Sequence, residues 1–271
     1  MSSSLDRRQF AREVCLPYLI TLERFRDDLD LLSFMLVGSV ATGHDDENSD
    51  VDVAVVCERR VYDSISGSAD WDRGRPTEEH LDGVQLQYYG ISFEQIEKRL
   101  SELDDVYLHV YSNAISLRDP NGQYFERLAP LLAGSPDVRR ERVEGKLDML
   151  VRRACAMRQA IQAGDIMSIA QVCLELLRRS LELIALLDGV DFDPRKRLFM
   201  TALRGELGRE LEPVFRRLVS SLGELGDFRD SADLAHFSYP SHLDGLVAAL
   251  SDEARGQGFR VGLQGPDLRQ V

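Results

Sequence analysis

The sequence predicts an α+β fold in two parts, with strands and helices intermixed over residues 1–134 and helices alone over 135–271. Three observations carry this. Apolar runs of strand length, at 34–37 and 53–56, are bounded by glycine, serine and aspartate. Residues 83–89 alternate, with Val84, Leu86 and Tyr88 on one face and Gln85 and Gln87 on the other. After Ser135-Pro136, a cap-then-proline helix start, apolar residues recur at helical spacing through most of the remaining chain.

Taken in order, residues 5–30 carry Leu5, Phe10, Val14, Leu19, Leu22 and Phe25 at roughly helical spacing. Pro17 interrupts them and predicts a break or kink. Strands follow at 33–37 and 51–57. Residues 58–80 are polar, contain Gly67, Gly74 and Pro76, and read as an irregular insertion or lid. The only tryptophan, Trp71, is expected to anchor that segment to the body rather than to stack on a base. The strand at 83–89 is followed by a helix from Ser92 to about 103, because Ser92 and Gln95 have capping-box spacing. A helix or strand near 104–111 and a strand at 113–118 complete the first part. In the second, a helix runs to about 162 and breaks at Gly164. Helices at roughly 165–187, 194–206, 210–222 and 241–256 follow, with caps at Asp193 and Ser241. The tail beyond Gly256 is glycine-rich and is expected to fray.

Composition narrows the function. The chain is 44% hydrophobic and 29% charged, as in a soluble globular protein. No apolar stretch approaches the ~18 residues of a membrane span, and the first residues lack the apolar core of a signal peptide. The expectation is a cytoplasmic protein with no membrane partner. A net charge of −13 argues against extended nucleic-acid binding, which needs a cationic surface. It leaves ATP open and mildly favours a cationic acceptor. Cys15, Cys57, Cys155 and Cys173 show no metal-ligand spacing and read as small core residues.

The chemistry concentrates in Gly38-Ser39-Val40-Ala41-Thr42-Gly43-His44-Asp45-Asp46-Glu47-Asn48-Ser49-Asp50-Val51-Asp52. Asp50 and Asp52 are two apart, so on a strand both carboxylates project from one face. Two carboxylates that close repel unless a cation lies between them. Magnesium is commonly held by one or two carboxylates plus substrate phosphates. A glycine-serine turn lets backbone amides approach phosphate oxygens. Five fixed identities at these spacings arise by chance about once per million start positions. Asp45, Asp46 and Glu47 read as solvated loop charges. Asp52 does not, because it interrupts an apolar strand.

These residues resemble the nucleotidyltransferase superfamily to which DNA polymerase beta belongs, and more closely its small bacterial members that adenylylate antibiotics or other small acceptors. The resemblance covers residues 5–130, including the Arg118-Asp119-Pro120-Asn121-Gly122 turn after the apolar segment 114–117. It implies an N-terminal mixed sheet flanked by helices, with a C-terminal helical-bundle domain. It further implies Gly38, Ser39 and Ser49 about the nucleotide, Asp50 and Asp52 as metal ligands and catalytic residues, and Mg²⁺ and ATP as cofactor and donor. The segment 181–187, with Asp193-Pro194-Arg195-Lys196-Arg197-Leu198, is similar to part of the helical domains attached to such enzymes.

One element of the family pattern fails. Relatives use a third carboxylate on a later strand, and the strand at 83–89 offers Gln85 and Gln87 instead. Asp82 and Glu94 flank it outside the expected position. The leading reading is therefore a magnesium-dependent transfer of a nucleoside monophosphate from a nucleoside triphosphate to a small-molecule hydroxyl. The alternative is a non-catalytic nucleotide-binding regulatory protein of the same fold. Arg139, Arg140, Arg142 and Lys146 form a basic run that either faces a triphosphate or is a solvated helix face.

Overall fold

The structure, a computed structural model, describes residues 6–67, 71, 75–133, 136–192, 198–226, 228 and 233–261. The chain forms two compact units, Met1–Gly134 and Ser135–Val271.

The first unit is built on a five-stranded mixed sheet in the order β3-β4-β2-β1-β5. The strands are β1 (Ser33–Val37), β2 (Val51–Cys57), β3 (Thr77–Leu81), β4 (Val84–Ser92) and β5 (Ile115–Arg118). Only β2 and β4 run parallel. The adjacent strands β1 and β2 read as near-continuous apolar runs because both faces of the sheet are covered there, whereas β4 alternates over its first half. One face, with Phe34, Leu36, Val53, Val55 and Tyr88, packs on the N-terminal helical segment and α4 (Arg59–Ile65). The other, with Met35, Val37, Ala54, Val56 and Ile91, packs on α5 (Phe93–Ser101), α6 (Asp105–Ser112) and α7 (Gln123–Leu132).

The helix α1 (Arg7–Phe10) is capped by the Asp6 carboxylate and continues through a π-helical stretch, Ala11–Cys15, into α2 (Leu16–Thr21). Of the break or kink predicted at Pro17, no break occurs, and a change of helical register lies just before it. Proline lacks the N–H of an i→i−4 bond, and the change of helical register just before it removes the need for one.

The described residues of the segment 58–80 hold more regular structure than an irregular insertion. The segment contains α4, and it ends in β3, which pairs antiparallel with β4 from Thr77↔Tyr88 to Leu81↔Val84. Trp71 is 5% exposed, stacks on Phe25, meets Tyr88 edge-on and donates from Nε1 to the Thr77 hydroxyl. It is an anchor. The capping box at Ser92 and Gln95 is present, whereas α7 was not predicted. In the turn before it, the Ser33 hydroxyl donates to Asp119 at 2.6 Å and Asn121 donates to the Asp30 carbonyl at 2.7 Å.

The second unit contains α8 (Pro136–Ala163), α9 (Ile166–Leu187), α10 (Leu198–Ala202), α11 (Glu206–Leu222) and α12 (Tyr239–Gly256) around one apolar core. Three boundaries differ from the sequence reading: α10 ends at Ala202 rather than near 206, α11 starts four residues earlier, and α12 begins at Tyr239 with Ser238 at its cap position. Ser241 therefore lies in the first helical turn. Asp193 and Lys196 fall outside the described residues. The basic run is largely spent within this unit. Arg139 donates to the Leu186 and Leu187 carbonyls at the end of α9, Arg140 pairs with Asp137, and Lys146 pairs with buried Glu182 at 2.7 Å. Among the described residues, no helix is long and apolar enough to cross a membrane.

Candidate active site

The motif spans the turn from β1 into α3 (Gly38–Thr42), the following loop, and the start of β2. β1 and β2 are antiparallel neighbours, with Val37 opposite Asp52. The chain must therefore reverse directly over the Asp52 side chain. Gly38 does this at φ +73, and a Cβ there would overlap the Asp52 carboxylate. Both the backbone angle and the close approach favour glycine, because any Cβ would displace the Asp52 carboxylate from its place. The Gly38 backbone and the Asp52 carboxylate are thus in close contact.

Asp52 is half-buried on an otherwise fully buried strand. Its neighbour on the parallel side is Gln87 of β4, and the neighbour of Gln87 is Glu78 of β3. Residues opposite each other in a sheet share a face. Val37, Asp52, Gln87 and Glu78 consequently form one row across four strands. The helices packed on that face cover Ala54, Val56 and Ile91, toward the other end of β2 and β4. Asp50 lies one residue ahead of β2 and is also half-buried. Among the described residues, no three His, Cys, Asp or Glu side chains are grouped to hold a metal. Two carboxylates with oxygen donors alone are the chemistry of a hard cation that completes its shell with phosphate oxygens.

The loop between α3 and β2 has its own supports. The Ser49 hydroxyl accepts from the Asp46 amide at 2.9 Å and lies 3.1 Å from the Asp46 carboxylate, which also accepts from the Asn48 amide. Ser49 therefore locks a turn at 46–49, and Asp46 does more than carry solvated charge. Among the described residues the Ser39 hydroxyl makes no hydrogen bond, so it remains available as a donor toward a phosphate; its carbonyl accepts from the His44 amide. Sequence reasoning missed Arg7 and Arg8. Arg8 donates to the Val40 and Ala41 carbonyls at 2.9 and 2.8 Å, and Arg7 to the Asp46 and Glu47 carbonyls at 3.1 and 2.5 Å. No local spacing signals such contacts, which join residues 32 to 40 positions apart.

Other reactive groups are used elsewhere. Burial pushes the Cys15, Cys57 and Cys173 thiols up to about 12, which removes them as nucleophiles. A cavity of about 540 Å³ lies beyond the opposite end of β2, bordered by Leu31, Glu58, Arg59, Val61, Glu94 and Gln123. Its acidic wall is tied to Arg127, which lies 2.6 Å from Glu58 and 3.6 Å from Glu94 and also pairs with Glu97. The chemistry of the motif is not at that cavity.

Residues 20–127 match the nucleotidyltransferase domain family. The crystal structure of a nucleotidyltransferase-like protein from Exiguobacterium sibiricum 255-15 is similar over 91% of this chain and 78% of that one, with 12% identity and a TM-score of 0.50. At that identity the likeness concerns the fold alone. No curated protein matches the sequence.

Proposed function

We propose, from the match of residues 20–127 to the nucleotidyltransferase domain family, that the protein is a magnesium-dependent nucleotidyltransferase. It transfers a nucleoside monophosphate, AMP from ATP, to the hydroxyl of a small-molecule acceptor. The observation that carries the reading is the close approach of the Gly38 backbone to the Asp52 carboxylate, at a left-handed backbone angle that favours glycine.

In this reading Asp50 and Asp52 hold the metal. Bound magnesium supplies the charge neutralisation that lets a triphosphate lie against two carboxylates. The Gly38-Ser39 turn orients the phosphates through backbone N–H groups and the Ser39 hydroxyl. Ser49 holds the loop, through Asp46, at the geometry the carboxylate pair needs. The net charge of −13 favours a cationic acceptor.

Gln87 supports the second reading, a nucleotide-binding regulator without turnover. It is the direct neighbour of Asp52, and an amide cannot take a proton from the acceptor. The nearest carboxylate in that row is Glu78, one strand farther out and exposed. Incubation of the protein with α-labelled ATP, magnesium and amine-bearing hydroxyl acceptors separates the two. The enzyme reading expects labelled acceptor and pyrophosphate in equal amounts, and bound ATP with no pyrophosphate from any acceptor defeats it.

A further inference from the structure

Resting on the nucleotide-binding reading of the Gly38-Ser39 turn, we infer that Arg7 and Arg8 of the N-terminal helix are positioning residues for that site. The loop between the turn and Asp52 begins at Gly43 and carries Asp45, Asp46, Glu47 and Asp50 within six residues. Such a segment repels a polyphosphate and, left alone, samples many conformations. Two adjacent guanidinium groups oppose both tendencies. Arg8 spans the last carbonyls of α3, Val40 and Ala41, as a cation does at a helix C-terminus. Arg7 spans the Asp46 and Glu47 carbonyls at the far side of the same loop. Four backbone acceptors on both sides of His44 are thereby tied to one short helix. That helix is itself fixed by the Asp6 cap and by Phe10, which is buried in the sheet unit.

The packing at Gly43 shows how closely the clamp fits. Gly43 ends α3 at φ +71, and a Cβ there would lie 3.2 Å from the Arg8 Nη2 atom. The left-handed residue that ends the helix also makes room for the guanidinium. Neither arginine need touch the nucleotide. Each acts through the loop, by holding the turn amides and the carboxylate pair in one arrangement before ligand arrives, so that binding does not bear the cost of ordering them.

The test uses the full chain and measures affinity for magnesium-ATP by calorimetry, thermal unfolding, and amide hydrogen exchange over 39–50 without ligand. Arg7→Ala/Arg8→Ala is expected to weaken magnesium-ATP binding about tenfold at a temperature where the variant is fully folded, and to speed exchange in the loop. Arg8→Lys keeps the charge but cannot span two carbonyls as a fork. It is expected to recover only part of the affinity. A purely structural role would lower the unfolding temperature and leave affinity and loop exchange unchanged, which overturns the inference while the nucleotide reading stands. Wild-type protein that binds no nucleoside triphosphate removes the reading and the inference together. If the double variant does not fold, Arg8→Lys decides, and wild-type affinity with wild-type loop exchange overturns the inference.

Discussion

Asp52 and Glu182, one in each unit, both interrupt apolar surfaces, and their surroundings differ. Glu182 of α9 is 1% exposed and meets three cations: Lys146 at 2.7 Å, Arg178 at 3.0 Å and Arg179 at 3.2 Å. Asp52 of β2 is half-buried, is overlain by the Gly38 backbone, and shares its row with Gln87 and Glu78. Glu182 is satisfied by side chains of its own unit, as a structural ion must be. Asp52 lies against a glycine turn at the start of its strand, only half-buried. A carboxylate on an apolar element is thus no sign of function by itself. What surrounds it decides.

The sharpest way to break the comparison is to remove the charge at each place. Asp50→Asn/Asp52→Asn is expected to lower magnesium-dependent ATP turnover by about 10³-fold or more, the scale of losing charge stabilisation in phosphoryl transfer. The unfolding temperature should hold or rise, since two neighbouring like charges are gone. Turnover that survives this double substitution would put the chemistry elsewhere. Glu182→Ala should do the reverse. Three cations would be left around a buried hole, at a cost of about 3 kcal/mol in denaturant unfolding, with activity per folded molecule unchanged. A smaller loss, or a selective loss of activity, would erase the distinction between the two carboxylates.

That distinction was only partly legible in the sequence. β1 and β2 were predicted at their observed bounds because an apolar run between turn residues admits few other readings. The Gly-Ser turn and the position of Asp52 were legible too, since both depend on residues close in sequence. β3, with sequence Thr-Glu-Glu-His-Leu, was not. It is an edge strand, and charge on one face with few apolar residues on the other leaves little alternation to detect. α7 was missed because Pro130 lies inside it and its caps are weak. Whether the basic run of α8 faces ligand or fold could not be read from spacing either, because the partners of Arg139 and Lys146 lie 36 to 48 residues away. The Arg7 and Arg8 clamp escaped for the same reason.

A gentler change sharpens the comparison at the Asp52 row itself. Gln87→Glu puts a carboxylate directly beside Asp52, on the same face of the parallel pair. If the wild type turns over slowly for want of an acceptor base, pyrophosphate release should rise about tenfold. Affinity for magnesium-ATP should change little. An unaltered rate would show that acceptor activation does not occur in this row, and Glu78→Gln would then be the variant to compare.

The smallest expected effect concerns the thiols, and it separates buried from functional by another route. Cys15, Cys57 and Cys173 are buried, with burial holding their thiols near 12, whereas Cys155 is partly exposed. In native protein near pH 8 a chromogenic disulfide reagent should label Cys155 and spare the other three. The folded chain keeps its buried thiols protonated above about pH 8.5, where thiols of the unfolded chain ionise. The stability they contribute is therefore complete below about pH 8.5 and is lost as pH rises toward 12. Denaturant midpoints measured at pH 7, 9.5 and 10.5 should fall in that order. Rapid labelling of all four thiols at pH 8 would mean that the core opens easily, and the burial contrast between Asp52 and Glu182 would then lose its basis.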